Sequence, residues 1–238
     1  MAELLVDRHE RVTVLTLNRP TQGNRLTTSL ATEIAAALEA ARNDDSIGAC
    51  VLTGAGDVFC LGGDYQGAGP TTAGRTAYAE ALLRMDRAMA HLGKPLVAAV
   101  NGDAHAGGFS VVVACDLAVA AAAATLGLPE AARGLFPFIA LAIVKDALPK
   151  KILFDLIYSA RLMSAAEAQT LHVVNEITER TNVLARSVER ARQAAAHPAA
   201  IVTLGRDLYY AMRGQRADEA LDNAERAVLA ALGTIQDQ

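Results

Sequence analysis

Two pairs of adjacent glycines break apolar runs in the first half of the chain. They are Gly62-Gly63 in "FCLGGD" (59–64) and Gly107-Gly108 in "HAGGFS" (105–110). Glycine allows positive φ and lets another group approach the backbone closely. A helix starting at the second pair, through "FSVVVAC", would present unpaired N–H groups and the positive end of its dipole. Two amides, one from each turn, could converge on a single carbonyl oxygen and form an oxyanion hole. Proton chemistry needs a further group, and Glu130 offers one. It follows Pro129 in "LGLPEAARGLFPF" (126–138), among residues that disfavour a charged carboxylate and so raise its pKa toward a useful range. Plainer readings exist for each feature. The glycines can be tight turns, and Glu130 can be a first-turn residue of a helix begun by Pro129. His105 and Asp103 flank the second turn and could face either the site or solvent. Cys60 has no His at a suggestive local spacing, so it reads as a buried small hydrophobe rather than a nucleophile.

The elements that must position these groups read as an α/β chain. "ELLVDRHERVTVLTLN" alternates apolar and polar residues about His9-Glu10-Arg11, a hairpin pattern. A helix follows, with Leu30, Ile34, Leu38 and Ala41 at helical spacing and Thr28 or Ser29 as N-cap. "GACVLTG" is a short buried strand, "DVFCLGGDY" is strand-like up to its glycines, and 67–74 is a flexible loop. Residues 76–92 form a helix and "PLVAAV" is the next buried strand. Strands alternating with helices imply parallel pairing. From Phe138 onward the chain reads as helices at 138–147, 149–159, 164–170, 179–196, 199–213 and 216–232, broken by one strand, "VVNEI". The expected division is a core over 1–195 and a helical region over 196–238. There is no internal repeat of fixed period.

Composition narrows the function classes. The 238 residues are 52% hydrophobic and 20% charged with a net charge of −4, which suits a soluble globular protein. No basic face or aromatic–basic interleaving points to nucleic acid. The N-terminus lacks the layout of a signal peptide, and no apolar run is long enough to span a bilayer, which implies a cytoplasmic location. Cys50, Cys60 and Cys115 are too few and scattered for a disulfide framework. The five histidines show no metal-ligand spacing.

Taken in order, "LNRPTQGNRL" (17–26), "GDVFCLGGDY" (56–65), "KPLVAAVNGDAHAGG" (94–108), "ACDLAVAAAAATLGLPEAARGLFP" (114–137) and "SARLMSAAEAQTLHVVNEI" (159–177) resemble the enoyl-CoA hydratase/isomerase, or crotonase, superfamily over nearly the whole chain. The resemblance implies a spiral of ββα units followed by a C-terminal helical trimerisation region, assembled as a homotrimer or dimer of trimers. It implies an acyl-CoA thioester substrate, with coenzyme A as part of that substrate and no separate cofactor or metal. The oxyanion amides fall on Gly63 and Gly107, and the acid/base on Glu130. The substrate and CoA contacts fall on Arg25, Leu26, Leu61, Gly62, Asp64, Tyr65, Ser110, Pro129 and Phe138. Of these, Arg25 could reach a CoA phosphate, Leu61 matches a position whose backbone touches the adenine end, and Asp64 holds the turn.

Two departures from the family pattern bear on the reaction. Ser110 stands where the hydratases carry their other glutamate, and a hydroxyl is no general base at neutral pH without an activating partner. "PFIAL" (137–141) replaces a glycine-rich segment, so Phe138 and Ile139 would narrow and dry the acyl pocket. One carboxylate suffices to shift a double bond, removing a proton near the thioester and returning it elsewhere on the chain. Hydration by Glu130 alone is the close alternative. A non-catalytic acyl-CoA-binding protein and a CoA-independent hydrolase of carbon–carbon bonds are the other readings.

Overall fold

A computed structural model of the chain describes residues 2–236. The apolar–polar alternation at the N-terminus gives the hairpin β1 (Leu4–His9) and β2 (Val12–Leu17), antiparallel with Leu4 opposite Leu17. Helix α1 (Thr28–Asn43) buries Leu30, Ile34, Leu38 and Ala41 on one stripe. Its N-cap is Thr27, one residue before the expected pair, and the Thr27 hydroxyl accepts from the Leu30 amide at 2.9 Å. Next come β3 (Ala49–Gly54), β4 (Val58–Cys60), α2 (Thr72–Ala90), β5 (Leu96–Val100), β6 (Asp103–His105), α3 (Gly107–Ala114), β7 (Leu117–Ala121) and β8 (Thr125–Gly127).

The winding is that of repeated ββα units. Both strands of the opening hairpin lie in one sheet, which β10 (Glu176–Thr178) completes in the order β1-β2-β3-β5-β7-β10. In the pairs β3/β4, β5/β6 and β7/β8 the first strand joins that sheet and the second joins another, which β9 (Met163–Ser164) completes in the order β4-β6-β8-β9. Pairing along β2-β3-β5-β7-β10 is parallel, as the alternation of strands and helices implied. Strands β3 and β5 are buried at every position, as strands covered on both faces must be. After β8 a 3₁₀ turn, Pro129–Arg133, takes the place of the next helix. The remainder is α4 (Phe138–Val144), α5 (Lys150–Ser159), β9 (Met163–Ser164), α6 (Ala165–Thr170), β10 (Glu176–Thr178), α7 (Arg180–Ala195), α8 (Ala199–Ala211) and α9 (Ala217–Gln236). Helix α7 packs across β3, β5 and β7 and closes the larger sheet.

Four strands have no counterpart in the sequence reading: β6, β7, β8 and β9. Three of them span only two or three residues and carry no period. Strand β7, "LAVAA", is too alanine-rich to announce itself and is a strand because β5 and β10 flank it on either side. Helix α2 begins at Thr72, capped by Thr71, so it takes the end of the expected 67–74 loop. The "VVNEI" strand pairs only from Glu176. Among the described residues, no helix is long and apolar enough to cross a membrane. Arg206 anchors α8: its guanidinium meets Asp116 at 2.9 Å and donates to the Met89 and Ala90 carbonyls at 2.8 Å.

Candidate active site

The two glycine turns meet face to face. A Cβ on Gly62, whose φ is +96°, would lie 3.3 Å from the Gly107 amide nitrogen, and one on Gly107 would lie 3.7 Å from the Gly63 nitrogen. Neither the Gly63 nor the Gly107 amide donates in any turn or cap hydrogen bond between main-chain groups of the described residues. Gly107 is the first residue of α3, where no intrahelical acceptor exists for its N–H. Ala106, just before it, is held at φ 54° and ψ −123°, a conformation that costs a non-glycine residue about 1–3 kcal/mol. Its amide donates to the Gly127 carbonyl at 2.8 Å, which pins the turn to β8.

The loop before α1 is fixed to these turns by side chains. Asn24 is fully buried; its amide donates to the Ala55 and Val58 carbonyls at 2.9 and 2.7 Å. Leu26 and Gly63 form an isolated parallel bridge. Asp64 pairs with Arg19 at 3.1 Å and accepts from the Gly67 amide at 3.1 Å, so its carboxylate is occupied in holding the turn.

Two adjoining cavities lie at this point. The outer one, about 410 Å³, is bordered by Arg25, Leu61, Asp64, His105, Pro129 and Arg133. The inner one, about 250 Å³, is bordered by Leu26, Gly107 and Ser110 on one side and by α2 and the segment to Ala140 on the other. Gly63, Tyr65, Glu130 and Leu135 border both, so Glu130 stands at the junction. Its side chain is buried, and Oε2 has no hydrogen-bond partner among the described residues. Burial holds the Glu130 carboxyl above the ordinary glutamate range, against the weaker opposing pull of its own backbone amide and of Arg133.

The remaining expected residues divide by what their polar groups do. The Ser110 hydroxyl donates to the Gly107 carbonyl at 2.8 Å, on the wall of the inner cavity. The Arg25 guanidinium bonds the Leu61 carbonyl at 2.6 Å at the outer cavity's edge. Phe138 borders the inner cavity but is 77% exposed and stacks on Phe136, so it rims that cavity rather than filling it. The Thr125 hydroxyl donates to Asp103 at 2.7 Å, so at the 2.8 Å contact with His105 it accepts and Nε2 carries the proton. Burial pulls the His105 pKa down, and Asp103 opposes it. Burial pushes the Cys60 thiol up to about 11, leaving it an unreactive core residue.

Sequence reading missed Tyr78, Asp86 and Arg133. Tyr78 is buried with its hydroxyl against the Gly63 turn, where a side chain on Gly63 would strike it. That hydroxyl lies by the Asp64 amide, but the amide already donates to the Leu26 carbonyl at 2.8 Å, so the hydroxyl has no partner of good geometry. Asp86 sits between Met85 and Met89, both buried in the core. A lone acid on that apolar helical stripe is the signal that could have found it.

The family model "Enoyl-CoA hydratase/isomerase" matches residues 7–235. An enoyl-CoA hydratase of Mycobacterium tuberculosis is 31% identical over 217 residues, covering 87% of this chain and 80% of that protein. A 2,3-dehydroadipyl-CoA hydratase of Escherichia coli is 32% identical over 198 residues, covering 83% of this chain and 77% of that one. The crystal structure of an enoyl-CoA hydratase of Mycobacterium smegmatis superposes with a TM-score of 0.92 at 28% identity, covering 97% of this chain and 91% of that chain.

Proposed function

The chain belongs to the enoyl-CoA hydratase/isomerase (crotonase) family, and on that premise we propose that it is an enzyme processing enoyl-CoA thioesters, with Glu130 as its one acid/base. The observation that carries this reading is the place of Glu130, a buried carboxyl with a free oxygen at the junction of two cavities and beside two facing amide-bearing turns. In this reading the thioester oxygen lies between the Gly63 and Gly107 amides, and the acyl chain enters the inner cavity. The Glu130 carboxylate removes a proton from the carbon next to the thioester. The electron pair moves onto the carbonyl oxygen, where the two amides and the α3 dipole stabilise the negative charge. Glu130 then returns the proton two carbons further along, and the double bond shifts. Ser110 supports isomerisation as the main outcome, because its hydroxyl proton is given to the Gly107 carbonyl and the side chain is no base. Hydration remains a second reading, favoured by the hydratase names of the relatives. The coenzyme A portion occupies the outer cavity, where Arg25 and Arg133 supply positive charge for its phosphates.

The same reading makes 196–238 an assembly region, in a homotrimer or dimer of trimers. Leu221, Val228, Leu229 and Leu232 of α9 are each more than half exposed in the single chain. Light scattering at several concentrations measures the assembly. The reaction is tested by incubating the protein and Glu130→Gln with a panel of enoyl-CoA thioesters and reading products by mass spectrometry. Isomerisation leaves the mass unchanged and hydration adds one water. Glu130→Gln should lose turnover while a saturated acyl-CoA still binds in calorimetry; substantial activity left in the variant refutes the role of Glu130.

A further inference from the structure

Three buried side-chain oxygens that find no hydrogen-bond partner among the described residues belong to residues lining the inner cavity: Glu130 Oε2, Tyr78 Oη and Asp86 Oδ1. Glu130 belongs to the reaction, and Tyr78 lies against the Gly63 turn where the thioester oxygen would sit. Asp86 has no part in either. It follows Tyr78 by eight residues on α2, and at 1.5 Å of rise per residue it stands about 12 Å further along. The cavities order it the same way. Glu130 and Gly63 border the inner and outer cavities, whereas Asp86 borders the inner cavity and a third one beneath α8. Asp86 therefore lies at an end of the inner cavity away from the Gly63 turn. The two arginines that border the third cavity with Asp86 are engaged elsewhere, Arg206 with Asp116 at 2.9 Å and Arg213 with Asp146 at 3.1 Å. Between the two ends the walls are Leu82, Met85, Phe136 and Ile139. A carboxyl in such surroundings with an unpaired oxygen costs stability unless something bonds it.

We propose that Asp86 is the specificity residue for the distal end of the acyl chain, and that the preferred substrates are medium-length enoyl-CoA thioesters whose far end carries a hydroxyl. The inference rests on the acyl-CoA reading above. A methyl end would leave the carboxyl unsatisfied. An ammonium or a carboxylate would bring a full charge into an apolar cavity that holds a single partner for it. A hydroxyl donates one hydrogen bond and carries no charge.

The test uses enoyl-CoA thioesters of one length that end in methyl, hydroxyl, ammonium or carboxylate. kcat and KM are measured separately for the wild type, Asp86→Asn and Asp86→Leu. Calorimetry with the saturated analogues gives binding without turnover. The wild type should favour the hydroxyl end over methyl by about ten- to a hundredfold, expressed in KM and Kd. Asp86→Asn should keep part of that preference and Asp86→Leu should invert it. A wild type indifferent to the chain end, a preference for ammonium or carboxylate, or a hydroxyl preference that survives in Asp86→Leu overturns the inference. So does an equal fall of kcat for every thioester in both variants, which would place Asp86 at the reacting carbons. If no thioester turns over but the saturated hydroxyacyl-CoA binds in an Asp86-dependent way, the reaction reading fails and this one stands. Turnover without discrimination at the chain end is the opposite result.

Discussion

Replacing Asp86 by asparagine should stabilise the protein at neutral pH and do nothing at low pH. Burial alone raises the Asp86 carboxyl from the ordinary 3.8 to about 7, with no counter-charge among the causes. A shift of about three units at 1.36 kcal/mol each corresponds to at most about 4 kcal/mol. The sign follows from proton binding. Between 3.8 and about 7 the unfolded chain has released the proton and the folded chain still holds it, so stability falls as pH rises through that window and levels off above it. Asparagine resembles the protonated acid in shape and never ionises. The variant should therefore match the wild type near pH 4, gain steadily above it, and be more stable by up to about 4 kcal/mol beyond pH 7. For a chain of this size that is a rise in Tm on the order of 10 °C. Denaturant titrations of both proteins across this pH range measure the difference directly. A gain that does not vary with pH would falsify the argument, since it would mean that folding does not shift the Asp86 carboxyl, and a loss at high pH would mean that Asp86 is ionised and paired in the folded protein.

Four further outcomes follow from the same contacts. The acidic limb of kcat/KM should rise with a midpoint above 4.5, the ordinary glutamate value, because Glu130 must lose its proton before it can act as a base; a midpoint at or below that value argues against Glu130. Gly63→Ala should cost about 1–3 kcal/mol because its methyl meets the Tyr78 hydroxyl, and adding Tyr78→Phe should recover most of the loss in thermal melts. Ser110→Glu should raise the yield of hydrated product relative to the isomer, since a second carboxylate would then face the inner cavity. Arg206→Met should cost about 3 kcal/mol by leaving Asp116 and two backbone carbonyls without their partner, with faster amide exchange in α8 as the local sign.

The helices of the second half were legible because long amphipathic stretches carry a strong period. α7 and α8 begin within a residue of where apolar spacing put them. The short strands were not legible, because a three-residue strand is set by its neighbours in the sheet rather than by its own pattern. At the site, the glycine turns and Glu130 could be picked out, since adjacent glycines and an acid among apolar residues are local oddities. Asp86 was hidden for a different reason. In "LLRMDRAMA" a lone acid beside the apolar stripe is the one local sign, and it gains meaning only once α2 is laid over the inner cavity. Arg133 was missed likewise, since nothing in "PEAARG" says which way a 3₁₀ turn will face.

In the proposed reaction, the division between backbone and side-chain groups lets the site keep one kind of chemistry while its substrate changes. The two facing amides depend on Gly62 leaving room for Gly107, on the strained Ala106 and on the Ala106–Gly127 hydrogen bond, and these are properties of the turns that follow β4 and β6, neighbouring strands of the smaller sheet. A substitution such as serine at position 110 leaves them in place, and its hydroxyl even braces the turn by bonding the Gly107 carbonyl. The inner cavity, by contrast, is walled by side chains of α2 and of the segment from Leu135 to Ala140, elements that hold no strand register. A change there, away from Tyr78, alters the shape and polarity of that cavity without touching the glycine turns. The geometry of the facing amides is thus fixed by the spiral, and in the proposed reaction selectivity for the acyl chain is free to reside in α2, where Asp86 borders the inner cavity.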